Sequence, residues 1–127
     1  MNVKLFIAVA AAALLSTAPA SAHHSFTATY LASQSTIEAT VVQFLFRNPH
    51  SFVQVEARDA TGVKQMWNVE WSAGGLLSRQ GINAKTLKPG DRVIIVGNPA
   101  RQADDHRMKM VSITRPSDGW KWCGNLD

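Results

Sequence analysis

Between Thr36 and Arg47 the apolar residues first keep to one parity, Ile37, Ala39 and Val41, and then change to the other, Val42, Phe44 and Phe46. A strand buries alternate residues, so a parity change within one run predicts a long, curved strand with a bulge that lets it serve two sides of a barrel. Asn48-Pro49 ends the pairing, because proline has no N–H to donate and asparagine favours turns. Ser51 to Ala57 alternates again, with Val53, Val55 and Ala57 opposite Phe52, Gln54 and Glu56. Arg58-Asp59-Ala60-Thr61-Gly62 has hairpin-loop composition, which returns the chain antiparallel as a third strand over Val63 to Trp71. Val63, Trp67, Val69 and Trp71 share one face of that strand, and Lys64, Asn68 and Glu70 the wet one.

Ser72 to Gly81 reads as a short helix closed by Gly81 at the C′ position. Lys88-Pro89-Gly90-Asp91 is a tight turn into a compact apolar strand over Arg92 to Gly97, and after a polar loop a fifth strand runs from Arg107 to Thr114. Three strands, a short helix and two strands is the order of an all-β, five-stranded OB-like Greek-key barrel whose helix plugs one end. A small open sandwich built from the same strands is the competing arrangement.

The first 22 residues stand apart from this pattern. Lys4 followed by an apolar stretch from Leu5 to Leu15 and a small, polar run from Ser16 to Ala22 reads as an export signal, cleaved after Ala20-Ser21-Ala22. The apolar stretch is shorter than the roughly 20 residues that span a bilayer, so no membrane insertion is expected after processing. The expected organisation is a signal peptide over 1–22, an N-terminal arm over 23–34, the barrel over 35–115 and a C-terminal tail over 116–127, in a periplasmic or secreted protein. Formal net charge is +4, one unit of it from Lys4. The remaining basic residues are scattered singly and interleaved with acids, a pattern that argues against nucleic acid as a partner. Cys123 is the single cysteine and has no internal partner for a disulfide.

Three further marks occur together: Ala22-His23-His24-Ser25-Phe26, Asn48-Pro49-His50, and Leu87-Lys88-Pro89-Gly90-Asp91 before a strand ending Gly97-Asn98-Pro99-Ala100. In these the chain resembles a family of small exported bacterial proteins of unknown function. The resemblance implies an exported, OB-like domain and no assigned reaction. The tail Trp120-Lys121-Trp122-Cys123 falls outside the family's pattern.

Candidate chemistry centres on the histidines. Cleavage after Ala22 makes His23 the first residue, so its amine, its imidazole and that of His24 supply nitrogen donors at one place, with His50 as a third ring. Such a set favours copper or zinc over calcium or magnesium, and the terminal residue binding through amine and ring would look like a histidine brace around copper, in a handling or sensing role. The plainer reading makes His23 and His24 part of a solvated arm and His50 a turn-stabilising side chain bonded to nearby backbone. His106, beside Asp104 and Asp105, reads as a surface residue. A metal-free alternative is a binding module whose second and third strands present Phe52, Gln54, Lys64, Met66 and Asn68 to an exported peptide, glycan or protein partner, with Phe52, Gln54 and Asn68 as the contact residues. An enzyme is the weakest reading, because there is no nucleophile elbow, HExxH or phosphate loop, and no nucleophile is tied to Asp104-Asp105-His106.

Overall fold

The computed structural model describes residues 26–124. The leader read over residues 1–22, and with it His23 and His24, lies outside them. The strands are β1 (Ser35–Leu45), β2 (Phe52–Arg58), β3 (Lys64–Glu70), β4 (Arg92–Pro99), β5 (Arg107–Arg115) and β6 (Trp120–Cys123), and a short helix, α1 (Gly74–Arg79), lies between β3 and β4.

The parity change in β1 is a bulge. Ala39, Thr40 and Val41 face Ala57, Glu56 and Val55 of β2; the register then shifts, so that Gln43 faces Gln54 and Phe44 faces Val53. Val42 is thrown outward and is 43% exposed, while Val41 is fully buried and Phe44 packs on the core. The bend lets β1 pair with β2 along one edge and, through its first half, with β4 along the other. β3 and β5 then meet in parallel over Asn68–Glu70 and Arg107–Lys109, closing the circuit β1-β2-β3-β5-β4 into a five-stranded barrel. Val53, Val55, Val69, Val93, Ile95, Met108 and Ile113 fill its interior, joined by Leu77 of α1. Gly81, with φ of 79°, takes the left-handed conformation that a β-carbon would oppose just beyond the helix.

Three expectations change. Val63 is not inward: it lies in the hairpin loop, 55% exposed, because Arg58 and Lys64 are the last pair of the ladder and the side chain of Asp59 captures the Thr61 and Val63 amides. Bonds from the Thr61 and Gln65 side chains hold the Asp59 carboxyl down at about 2. The segment read as a tail carries β6, an antiparallel partner of β5 that places Trp120 and Trp122 against the core. Its hairpin is locked by Arg115, which bonds Asp118 and lies over the Trp120 ring. The described part of the arm is fastened down: Leu31 N–H donates to the Pro99 carbonyl (2.8 Å), Arg101 N–H to that of Thr29 (3.0 Å), and the Asn98 amide to Ala32.

Candidate functional site

The loop from β1 to β2 is fixed at both ends. Ser51, fully buried, exchanges hydrogen bonds with the Arg47 backbone through its hydroxyl, donates its N–H to Ser72 and accepts from Trp71 N–H. Gly74 N–H donates to the Arg47 carbonyl and Gly75 N–H to the Asn48 side chain, so the start of α1 grips the same loop, in which the Asn48–Pro49 peptide is cis. These bonds hold His50 at one mouth of the barrel, over the end of β3.

There it meets Glu70. His50 Nδ1 lies 2.7 Å from Glu70 Oε1, and Lys109 Nζ lies 3.3 Å from the same oxygen. The second oxygen, Oε2, accepts the Tyr30 hydroxyl at 2.5 Å. Tyr30 is 4% exposed, and its backbone bridges Ala100 next to β4. One carboxylate, 14% exposed at the side chain, thus joins the N-terminal arm, the β1–β2 loop, β3 and β5. Burial alone would push the Glu70 carboxyl up; the Tyr30 hydrogen bond and the charge and hydrogen bond of Lys109, with the charge of His50, outweigh it, and the group lies below its ordinary range. The phenol of Tyr30 is pushed well above its ordinary range, first by burial and then by the hydrogen bond and charge of Glu70.

This arrangement has a chemical consequence. An ionised carboxylate can only accept, so the proton of a neutral His50 resides on Nδ1, leaving the Nε2 lone pair free on a ring that is 48% exposed. Metal-ligating histidines are oriented in this way, with the non-ligating N–H given to a carboxylate.

The expected site residues divide accordingly. His50 Nδ1 lies against the side chain of Glu70, 20 positions along the chain, rather than against nearby backbone. His23 and His24 lie outside the described residues, and among the described residues no three His, Cys, Asp or Glu side chains form a ligand group. Phe52 and Gln54 stand directly opposite Glu70 and Asn68 across the β2–β3 ladder, and opposed residues share a face, so the three residues expected to contact a partner flank the carboxylate. Arg47 lies over the Phe52 ring at 5.3 Å. Gln54, Met66, Trp67 and Asn68 line a cleft of about 360 Å³ with Asp104, Asp105, His106 and Arg107, in which the His106 ring sits 5.1 Å from that of Trp67. Tyr30, Glu70 and Lys109 were not singled out from sequence. Tyr30 is the chain's single tyrosine, which was the one available signal.

No curated protein matches the chain. Among solved structures, the mitochondrial single-stranded DNA binding protein Rim1 of S. cerevisiae is similar at 12% identity and a TM-score of 0.47, covering 65% of this chain and 92% of that one. The expectation that excluded nucleic acid is corrected on that finding: such a neighbour is a single-stranded DNA binding protein, and single strands are held by stacking on aromatic rings as well as by basic stripes, so scattered charge excludes nothing. So loose a likeness assigns no ligand to this chain. A family profile, by contrast, matches residues 10–109, and the chain belongs to that family of unknown function, DUF6152.

Proposed function

We propose that the protein is an exported copper-binding barrel, in which His50 and the amine and imidazoles of a mature start at His23-His24 take up Cu(II) for handling or sensing. The observation that carries this reading is the 2.7 Å contact of His50 Nδ1 with Glu70, which leaves Nε2 turned over to a ligand role. The docked arm supports it. Phe26 packs its ring 5.6 Å from that of Tyr30, whose hydroxyl shares Glu70 with His50, and His24 precedes Phe26 by two residues, a reach of at most about 7 Å of extended chain. Export follows from the leader, whose removal creates the terminal amine.

Calorimetric titration of Cu(II) into protein beginning at His23 tests the reading, alongside His50→Ala and a form with extra residues ahead of His23. One ion per chain is expected for the native start, with weaker binding in both altered forms and a loss of affinity from neutral pH into mild acid, because nitrogen donors must be deprotonated to bind metal. Equal affinity in all three forms overturns it.

A metal-free module remains the second reading, favoured by Asn68 Oδ1, which is buried and has no hydrogen-bond partner on the face that also carries Phe52 and Gln54. A ligand N–H entering the adjoining cleft would satisfy that oxygen. Chemical-shift changes confined to Gln54, Asn68 and their neighbours on adding peptide or glycan fragments would support it; fragments that perturb no residue of that face count against it.

A further inference from the structure

We propose that the cleft beside β3 takes an arginine side chain of an extended peptide, whose backbone pairs with the open edge of β3. Such a partner belongs to the metal-free reading above, on which the inference rests. β2 flanks β3 along its whole length, but β5 meets the other side only from Asn68 to Glu70, so Lys64 to Trp67 keep one edge without a strand partner. Asn68 donates its N–H outward across that edge to the His106 carbonyl (2.9 Å), and by the alternation of a strand Met66 points its own N–H and carbonyl the same way. Such an edge is a template for an added strand.

The cleft of about 360 Å³ opens on this edge, with Met66, Trp67 and Asn68 on one side and Asp104 to Arg107 on the other. Its charge is unbalanced. Among the described residues no ion pair engages Asp104 or Asp105, and Arg107 gives its charge and a hydrogen bond to the Tyr30 phenol. Asn68 Oδ1 adds a buried acceptor with no donor. Two carboxylates and an orphan amide oxygen thus border one cleft, and a cation with several N–H groups answers all three. A guanidinium suits it better than an ammonium, because its planar fork bonds a carboxylate through two parallel N–H groups and its flat face stacks on an indole. Trp67 supplies the indole, and Met66, 50% exposed, an apolar seat for the aliphatic stem. Free arginine would leave the β3 edge empty, whereas an arginine carried on an extended strand uses edge and cleft together.

The probe is a short peptide with blocked ends, β-branched residues around a single arginine and no other charge, titrated into protein beginning at His23 and followed by amide chemical shifts. The amides of Met66, Trp67, Asn68, Asp104 and Asp105 should move, and the Met66 N–H should gain protection from hydrogen exchange. Citrulline in place of the arginine keeps the shape and removes the charge; it should weaken binding by about tenfold, the margin between a charged and a neutral hydrogen bond. Asp104→Asn combined with Asp105→Asn should cost the arginine peptide as much and the citrulline peptide little, a coupling that general loosening of the loop does not produce. Should that double variant fail to fold, the citrulline comparison on the wild type decides. A citrulline peptide that binds as tightly as the arginine one, free arginine that binds as tightly as the peptide, or a single-stranded oligodeoxynucleotide preferred at the same amides overturns this inference alone. A face that neither this peptide nor any peptide or glycan fragment perturbs overturns the metal-free reading and this inference with it.

Discussion

Replacing Glu70 by glutamine keeps the shape of the side chain and removes its charge, which isolates what the ionised form contributes to the fold. The carboxylate accepts Tyr30 O–H at 2.5 Å in a dry setting and lies 2.7 Å from His50 Nδ1 and 3.3 Å from Lys109 Nζ. A hydrogen bond to a charged acceptor contributes roughly 1.5–3 kcal/mol against 0.5–1.5 for a neutral one, so the exchange costs about 1 kcal/mol at Tyr30. The His50 and Lys109 contacts, on side chains 48% and 28% exposed, add a few tenths of a kcal/mol each because water screens them. Relief of the buried charge works in the opposite direction, leaving a net loss of about 1–1.5 kcal/mol near neutral pH, or roughly 4–8 °C in melting temperature per kcal/mol. The pH dependence carries the sign. Burial raises the Glu70 carboxyl, but Tyr30 and Lys109 lower it further, so its folded value lies below its unfolded one. Its stabilisation is therefore present above the unfolded value of about 4.3 and is withdrawn as pH falls through the folded value. Urea melts followed by tryptophan fluorescence should show wild type ahead of Glu70→Gln at neutral pH and the two converging in strong acid. Equal midpoints at neutral pH, or a gap that does not close in acid, would refute the reasoning.

Three other outcomes are expected. Because Tyr30 is the only tyrosine, absorbance near 295 nm reports its phenol alone; ionisation in the folded protein should begin at higher pH than in the urea-unfolded chain, whose value is about 10. The stability tied to that raised value is present below the unfolded pKa and is lost as pH rises through the folded one, and coincident folded and unfolded titrations would contradict the burial of the hydroxyl. Gly97→Ala places a β-carbon 2.3 Å from Met108 Cγ and 2.5 Å from the Lys109 carbonyl, so it should cost about 3 kcal/mol or more in a urea melt; a loss below about 1 kcal/mol would mean that the β4–β5 bulge yields freely. Val41→Asp should prevent folding while Val42→Asp shifts the midpoint by no more than about 0.5 kcal/mol, and the reverse order by circular dichroism would place the β1 bulge elsewhere.

Those contrasts trace what was legible in the chain. Alternation is a local signal, and the change from Ile37, Ala39 and Val41 to Phe44 announced a bulge that the ladder places between Val41 and Gln43. Val63 misled because it continues the parity of β3 while the side chain of Asp59 has already claimed its amide for the turn. β6 was passed over although Asp118-Gly119 is a turn signal and Trp120 and Trp122 alternate with polar neighbours. Four residues are too few for periodicity to speak. Only pairing with β5 gives the alternation a face, and that pairing puts Trp122 edge-on to Trp71 at 5.0 Å.

The site was less legible than the fold for a reason that lies in closure itself. His50 drew notice by residue type, whereas Glu70 read as one more polar residue on a wet strand face. The alternation that sends Val69 and Trp71 inward also sends Glu70 outward, and that much is local. What waits for it there is not, because Tyr30 lies 40 positions away and Lys109 lies 39. The parallel pairing that buries Val69 beside Met108 is the same pairing that sets Glu70 beside Lys109. Barrel closure thus supplies the Lys109 partner, while His50 reaches the carboxylate from beside Phe52, which stands opposite Glu70 across the β2–β3 ladder. On the copper reading proposed above, a ligand-ready Nε2 is a property of the folded barrel, so Cu(II) affinity at His50 should weaken with Glu70→Gln even where every histidine remains in place.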